Sequence, residues 1–184
     1  MFINRAYNIK IIDSKIGILN VILQSRSSIT NSTIGKIEKL GIQDKLTITN
    51  SYIEEISSLG VNVDGLLEME NVTIGKIGFE GLVHNTCLKF KNVRIKMAVN
   101  RSIVIGSRSG CNKFDGFVIE DGDDFPVLRI GQTVLPTDFQ NSFIKNRPLL
   151  NFKVFLMKAD RSSYIDHVSK HVPSVDDPHF IFKD

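Results

Sequence analysis

Residues 46–53 read Leu46-Thr-Ile48-Thr-Asn50-Ser-Tyr-Ile53, a frame in which apolar and polar residues alternate up to an asparagine. The frame has four further copies, at Ile9–Ile16, Ser27–Ile34, Leu67–Ile74 and Leu88–Ile95. Their Asn or Asp residues are separated by 18, 19, 21 and 21 positions, at Asp13, Asn31, Asn50, Asn71 and Asn92. Apolar residues two positions apart indicate a strand with one buried face, because side chains alternate sides along a strand. The sequence therefore predicts five similar strands, each ending at an Asn or Asp.

The second half of each copy is repeated as well. Isoleucines recur three residues after the isoleucine that ends the frame, at Ile37, Ile56 and Ile77. Glycines followed by apolar residues recur as Gly41-Ile42, Gly60-Val61 and Gly81-Leu82, and a further step of 21 leads to Ile103. Each unit of about 20 residues thus holds three short strands, separated by turns at Asn and Gly, which tolerate positive φ. Such a unit predicts one coil of a parallel β-solenoid, in which stacked coils share a core.

Other repeat architectures fit this spacing less well. A leucine-rich repeat needs a helical return limb, whereas the return limb here contains Gly and β-branched residues. The spacing also does not match the five-residue or six-residue repeat periods of other solenoids. The Ile-x-Ile-x-Asn-Ser-x-Ile frame resembles the repeats of right-handed parallel β-helices, the pectin-lyase-like architecture, over residues 9–131. The resemblance implies an all-β, right-handed parallel β-helix of about five to six coils, and it points to no specific family.

The repeat period changes after Asn92. A sixth frame can be read as Phe117-Val-Ile119-Glu-Asp121, whose aspartate lies 29 residues after Asn92. The excess residues are expected to form a loop around Ser107–Lys113. A second strand of this coil is predicted at Leu128–Ile130.

The C-terminal part of the chain is predicted to differ from the rest. Four of the five prolines lie beyond Gly131, and proline interrupts the ladders of a sheet. We predict a parallel β-helix over residues 1–131 and a C-terminal cap or extension over 132–184. The extension is expected to contain a strand at Leu149–Met157 and a short helix at Ser163–Val172, with Ser162 as its N-cap.

The composition suits a soluble, folded chain. Hydrophobic residues make up 42% and charged residues 23%, and the net charge of +3 is too small to indicate nucleic-acid binding. No apolar run reaches the roughly 18 residues of a membrane span. The N-terminus lacks the order of a signal peptide, so we expect a cytoplasmic or virion-associated protein. Cys87 and Cys111 are too few for a disulfide scaffold and are expected to be structural or buried free thiols.

Charged residues at outward strand positions are expected to stack in columns. Lys89 should lie against Glu68, and Lys91 against Glu70, on the solvent side of adjacent coils. Another column should alternate in sign, through Lys36, Glu55 and Lys76. Neighbouring strands lie about 4.8 Å apart, which predicts modest cross-strand ion pairs. The Asn and Asp column is interpreted as structural, because every coil needs that turn.

A basic cluster is the first candidate binding site, and its members are Lys89, Lys91, Arg94, Lys96, Arg101 and Arg108. Two of them are expected to face glutamates, and no aromatic residues interleave with them. A nucleic-acid partner is therefore disfavoured. Arg94, Lys96, Arg101 and Arg108 stay as candidate binding residues.

Two further groups were weighed as catalytic or metal sites. The acidic run Glu120–Asp124 offers oxygen ligands, but it contains glycine and lies between strands, as a solvated turn does. His167 and His171 would share one face of a helix, although Val168 stands where a zinc-binding HExxH motif has glutamate. We predict no catalytic residue, no metal ligand and no cofactor.

These observations favour a non-enzymatic binding or structural protein. Its side wall and C-terminal extension would hold a protein partner or another copy of the chain; a glycan stays open as a partner, and a membrane is not expected. Short right-handed β-helices resemble parts of phage tail and fibre proteins, which is an analogy of architecture. The extension holds half of the 12 phenylalanines, and its candidate anchors are Phe152, Phe155, Phe180 and Phe182. The alternative function is a small polysaccharide lyase or hydrolase.

Overall fold

The computed structural model describes residues 2–61, 65–84, 87–99, 102–105, 112–122, 128–131, 138–144, 147–148, 154–157, 164–167 and 180–183. These residues contain only β-strands as regular structure. The strands are β1 (Phe2–Ala6), β2 (Lys10–Ile12), β3 (Lys15–Leu23), β4 (Ser27–Thr30), β5 (Thr33–Ile42), β6 (Lys45–Thr49), β7 (Tyr52–Ile56), β8 (Leu59–Val61), β9 (Leu66–Ile77), β10 (Leu82–His84), β11 (Cys87–Ala98), β12 (Ile103–Ile105), β13 (Lys113–Asp115), β14 (Val118–Gly122), β15 (Leu128–Gly131), β16 (Asp138–Gln140), β17 (Phe143–Ile144), β18 (Arg147–Pro148), β19 (Val154–Met157), β20 (Tyr164–His167) and β21 (Phe180–Lys183).

The strands stack in parallel and in register, and they form a β-solenoid of about five turns with three walls. Wall 1 runs from β2 through β4, β6, the first halves of β9 and β11, and β13 to β16. Wall 2 runs from the first halves of β3 and β5 through β7, the second halves of β9 and β11, and β14 to β17. Wall 3 holds β1, the second halves of β3 and β5, β8, β10, β12 and β15. The predicted all-β parallel solenoid is confirmed.

The core includes the two apolar columns that the repeat predicts, together with buried residues of wall 3. On wall 1, Ile29, Ile48, Met69 and Phe90 pair in register and are buried. On wall 2, Ile34, Ile53, Ile74 and Ile95 do the same, each with 0% of its surface exposed. Aromatic rings continue the core in the later coils, where Phe90, Phe114 and Phe117 have ring centroids 5.3–5.8 Å apart. Burial of these columns is the main force that stacks one coil on the next.

The corner between walls 1 and 2 is a structural column, as predicted. Its residues all have φ between 47° and 66°, and they are Asp13, Asn31, Asn50, Asn71, Asn92, Gly116 and Asn141. Asn tolerates this left-handed conformation, and its amide can bond the equivalent amide of the next coil. The serine that follows is buried in several coils, and Ser32 and Ser51 each donate to the carbonyl two residues earlier, at 2.7 Å. The polar side chains at the corner therefore form their hydrogen bonds within the solenoid.

The predicted register is wrong at two places, and the first is the column of glycines on wall 3. Gly41 pairs with Gly60, but Val83 follows in that column and Gly81 does not. Two additional residues in this coil form a turn over 78–81, where Glu80 has a φ of 48° and Gly81 N donates to Gly78 O at 3.0 Å. Leu82 consequently pairs with Leu59, and its predicted link to Ile103 holds.

The sixth frame is also misplaced. Phe114, not Phe117, pairs with Phe90 on wall 1, and Gly116 occupies the corner position that Asn92 holds one coil earlier. Ile119 belongs to wall 2, where it pairs with Ile95. The step from Asn92 to Gly116 is 24 residues, so this coil has three residues more than the preceding one, whose step is 21. Glycine provides the positive φ as asparagine does, and a search for Asn or Asp overlooks it.

The parallel ladders continue past Gly131. Residues 138–144 extend walls 1 and 2, since Phe139 pairs with Phe114 and Ile144 with Ile119. Antiparallel strands follow: β18 pairs with β17, and β20 pairs with β15. The described part of the predicted helix Ser163–Val172 is this strand β20, because its backbone bonds the edge of β15; the rest of that segment lies outside the described residues. The division of the chain at residue 131 stays a prediction.

Cys87 forms a disulfide bond in the structure. A disulfide is a structural role, which is one of the two roles that the sequence leaves open for this cysteine. Cys111 is the only other cysteine in the sequence, and it lies outside the described residues.

Candidate binding groove on the side wall

Strand β11 presents two of the predicted binding residues on wall 2. Asn92 turns the chain at the corner with a φ of 51°, and side chains beyond it alternate between the core and the solvent. Val93 and Ile95 are buried, whereas Arg94 and Lys96 are exposed. The alternation of the strand thus aims both cations away from the core.

Arg94 and Lys96 line a shallow groove that runs beside the asparagine corner. The groove has a volume of about 760 Å³, and Thr33, Tyr52, Thr73 and Glu120 are among the other residues that line it. A second depression of about 440 Å³ shares Thr73 and Arg94 and extends the groove towards Gly116 and Val118. The groove therefore crosses several coils along wall 2.

Tyr52 lies close to residues of the following coils. A side chain at Gly75 would place its Cβ 3.1 Å from the Tyr52 hydroxyl and 2.5 Å from the carbonyl oxygen of Glu54. Gly75 thus leaves room for the Glu54 carbonyl and for the Tyr52 hydroxyl. The ammonium of Lys96 is 5.6 Å from the centroid of the Tyr52 ring, which is a cation–π distance. Sequence reasoning missed Tyr52, whose role depends on a glycine one coil away.

The charge of Arg94 is partly compensated. Its guanidinium forms an ion pair with Glu120 from strand β14, and both side chains stay well exposed. Glu120 belongs to the acidic run Glu120–Asp124, whose oxygen atoms could in principle bind a metal ion. Asp121 accepts a hydrogen bond from Gly122 N at 2.8 Å, and Asp123 and Asp124 lie outside the described residues. The groove holds two cations and one anion.

Wall 1 carries the predicted ion pairs. Lys89 Nζ lies 3.3 Å from Glu68, and Lys91 Nζ lies 2.7 Å from Glu70, on adjacent coils. Lys45 also binds Glu68, at 2.5 Å. Burial by itself would raise the pKa of Glu68, but hydrogen bonds from the two lysines outweigh it and lower the pKa. Glu70 holds the pKa of Lys91 above its ordinary value.

The alternating column on wall 2 is confirmed too. Lys36 pairs in register with Glu55, and Glu55 with Lys76. The ion pair between Lys36 and Glu55 is 3.0 Å long, and the hydrogen bond from Lys36 lowers the pKa of Glu55. These carboxylates are therefore engaged by lysines of neighbouring coils.

The predicted aromatic anchors lie in a separate two-stranded sheet. Phe182 pairs with Phe155, and Phe180 with Met157, where β21 meets β19 in antiparallel orientation. Phe152 lies outside the described residues, as do Arg101 and Arg108 of the basic cluster. The structure thus brings Arg94 and Lys96 together and places Phe155, Phe180 and Phe182 in one sheet.

No group of three His, Cys, Asp or Glu side chains that could hold a metal ion occurs in the described ranges. His167 lies in strand β20, and His171 is outside those ranges. Within the same part of the chain, no helix has the length and apolar character needed to cross a membrane.

The fold defines this chain as a parallel β-solenoid protein, with a polar groove on one of its three walls. No protein-family model matches the sequence, and no match was found among curated proteins or solved structures.

Proposed function

We propose that this chain is a non-enzymatic β-solenoid binding protein that docks to a macromolecular partner, a protein assembly or its own copies. The docking surfaces would be the wall-2 groove and the C-terminal segment. The observation that carries the proposal is the placement of Arg94, Lys96 and Tyr52 in one exposed groove. Arginine and tyrosine are enriched among the residues that dominate binding energy at protein interfaces.

The construction of the wall supports a binding role. Its strands are paired on both sides over several coils, so the groove is preorganised and little conformational entropy is lost on docking. Three acidic side chains of walls 1 and 2 are engaged by lysines of adjacent coils, namely Glu55, Glu68 and Glu70. Ion pairing between coils explains the presence of these carboxylates without a catalytic role.

The C-terminal segment offers a second way to engage a partner. Strands β19 and β21 pair only with each other in the described part of the chain, so both have an open edge. An open edge can accept a strand from another protein, a recognition mode that uses main-chain hydrogen bonds. Phe180 and Phe182 are the proposed side-chain anchors of that contact.

The proposal is tested by affinity capture from a lysate of the source cells, followed by mass spectrometry. The variant R94A/K96A removes both cations of the groove, and the matched control R26A/K39A removes two exposed cations elsewhere. A specific partner that is captured by the wild type and the control, and lost with R94A/K96A, supports the groove. Equal capture by all three proteins contradicts it. Sedimentation at several concentrations detects the case in which the partner is another copy.

A carbohydrate-active solenoid is the second candidate, and the lining of the groove favours it. Hydroxyls of Thr33 and Thr73 and amides of the corner lie beside the ring of Tyr52, a combination of polar groups and an aromatic face that suits sugars. Binding to a glycan array that disappears with Y52A, or release of reducing ends from a polysaccharide, would favour this candidate. Absence of both, together with a protein partner, leaves the first proposal standing.

A further inference from the structure

Wall 1 presents two columns of outward side chains that run along the solenoid axis. Core-facing and outward residues alternate along its strands, so each strand contributes two side chains to the outer surface. We call the two outward residues of one strand a rank. The register places four ranks one after another: Thr47 and Thr49, Glu68 and Glu70, Lys89 and Lys91, and Lys113 and Asp115.

The charge changes sign from the second rank to the third. Two carboxylates lie side by side on β9, and two ammonium groups lie side by side on β11. Within the chain they form the ion pairs Lys89–Glu68 and Lys91–Glu70. All four side chains keep between 26% and 60% of their surface exposed, so a further charged group can reach them. The fourth rank adds one lysine and one aspartate, and the four ranks together have no net charge.

This order of charges is complementary to itself. A second copy that faces wall 1 with its solenoid axis reversed is related to the first by a two-fold axis parallel to the strands. When that axis lies between β9 and β11, the glutamate rank of each copy is opposite the lysine rank of the other. The rank of Thr47 and Thr49 is then opposite the rank of Lys113 and Asp115, where hydroxyl groups can bond both charges. Like charges are not opposed anywhere in these four ranks.

Other face-to-face arrangements lack this complementarity. If the two solenoid axes were parallel, each rank would face itself, and carboxylates would lie opposite carboxylates. Like charges that lie directly opposite each other are destabilising. If the antiparallel axis moved by one coil, Lys89 would face Lys113 in one direction, and the glutamates would face threonines in the other. The charges therefore select one arrangement.

We propose that wall 1 is the contact face of a homodimer, in which two antiparallel copies place Glu68 and Glu70 opposite Lys89 and Lys91 of each other. Every one of these charges then has one opposite neighbour in its own chain and one in the other copy. Complementarity of this kind sets the orientation and register of a complex. The contact is separate from the wall-2 groove and from the C-terminal segment, and it does not rest on the function proposed above.

The dimer is expected to be weak and reversible. The seven strands of wall 1 lie about 4.8 Å apart, so the face is only about 30 Å long and a few residues wide. Small, polar interfaces are typical of transient complexes. Sedimentation equilibrium over a wide range of chain concentrations is therefore the suitable measurement.

The test exchanges one charge at a time. By the symmetry of the dimer, E70K brings two pairs of lysines face to face, and K91E brings two pairs of glutamates face to face. Each variant alone should raise the dissociation constant of the dimer at least about tenfold. An equimolar mixture of E70K and K91E should dimerise about as tightly as the wild type, because each exchanged charge then meets its opposite in the other chain. Mixing cannot repair a defect within either chain, so this recovery separates the contact from folding.

E38K and K39E are the matched controls. Glu38 and Lys39 are exposed on β5, away from wall 1, and the two variants change the net charge by the same amounts. Both controls should keep the dissociation constant of the wild type, and so should R94A/K96A on wall 2. At 1 M salt the difference between the wild type and E70K should shrink.

Cross-linking tests the orientation of the two copies. In the antiparallel dimer, Thr49 of one copy lies opposite Asp115 of the other, whereas the two Thr49 residues are three coils apart, about 14 Å along the axis. A short bismaleimide should therefore join T49C to D115C in a mixture of the two variants, and it should not join T49C to T49C. The wild type is the blank of this experiment.

Three sedimentation results would overturn the proposal. They are a chain that stays monomeric up to about 1 mM, a dimer with the same dissociation constant in the wild type, E70K and K91E, and a mixture of the two variants that stays monomeric. A dimer that joins T49C to T49C would contradict the antiparallel arrangement. None of these outcomes bears on the groove of wall 2, which is tested with R94A/K96A.

Discussion

Asn92 donates a hydrogen bond from its Nδ2 to Oδ1 of Asn71 in the preceding coil, over 3.1 Å, while both residues hold a positive φ. Asn71 donates in the same way to Asn50. The ladder fixes the corner between walls 1 and 2 at the same place in successive coils. The groove beside it therefore has a straight, rigid rim.

Replacement of Asn71 should separate the two roles of the corner residue. Alanine at this position loses the ladder bonds and is forced into the left-handed region, which costs an L-residue about 1–2 kcal/mol. Glycine loses the bonds but adopts this φ freely. We expect N71A to lower the free energy of unfolding by about 1 kcal/mol more than N71G, measured by chemical denaturation. Equal effects of the two substitutions would show that backbone strain is not decisive here.

Ile48 tests the buried column of wall 1. Its side chain is completely buried between Ile29 and Met69, so I48D would place an unpaired charge in the core. We expect a loss of several kcal/mol, roughly 3–5, in the free energy of unfolding. T33D is the control, because Thr33 is exposed and lies beside Lys15; it should cost less than about 1 kcal/mol. Similar losses for both variants would contradict the assigned faces.

Glu68 and Glu70 should differ when each is replaced by lysine. Among the described residues, only Lys91 forms an ion pair with Glu70, whereas Glu68 lies between Lys45 and Lys89. E70K should cost no more than about 1 kcal/mol, and E68K should cost more, because three lysines would then be neighbours. Denaturation at low and high salt checks this, since screening should shrink the difference. A larger cost for E70K would overturn the assignment.

The lowered pKa of Glu68 adds a pH signature to the same site. Its stabilising effect is present above the unfolded value of about 4.5 and is lost as the pH falls through the lower folded value. E68Q should therefore flatten the dependence of stability on pH below 4.5. An unchanged slope in that range would show that the ion pairs contribute little.

Removal of residues 174–184 tests the proposed role of the tail. Strand β21 pairs with β19 in a sheet of its own, so its loss breaks no ladder of the solenoid. We expect association with a partner to be abolished while the melting temperature stays nearly unchanged. A large fall in melting temperature with unchanged association would mean that the tail is only a cap.

The sequence predicts this fold correctly in the coils that have an Asn or Asp at the corner between walls 1 and 2. Between Asp13 and Asn92 the corner residue is an Asn or Asp, and the columns through Ile48 and Ile53 follow from it. The prediction of the register fails where the corner residue or the length of the coil changes. Gly116 fills the corner without a side chain, and the turn over 78–81 absorbs two residues, which shifts Gly81 out of its column.

The groove could be predicted only in part. Alternation along the strand after Asn92 places Arg94 and Lys96 on the surface, and this is visible in the sequence. The contribution of Tyr52 is not, because its hydroxyl occupies space that Gly75 leaves open in the next coil.

The in-register stacking of coils positions the groove of wall 2, and cysteine cross-linking measures this stacking most directly. Thr49 and Glu70 are register partners on adjacent coils, whereas Lys91 lies one coil further along the same column. Adjacent strands are about 4.8 Å apart, which suits a disulfide, and a separation of two strands is too large. We predict that T49C/E70C forms the new disulfide, seen by mass spectrometry of the digested protein, and that T49C/K91C does not. Cross-linking of T49C/K91C without cross-linking of T49C/E70C would contradict the solenoid register.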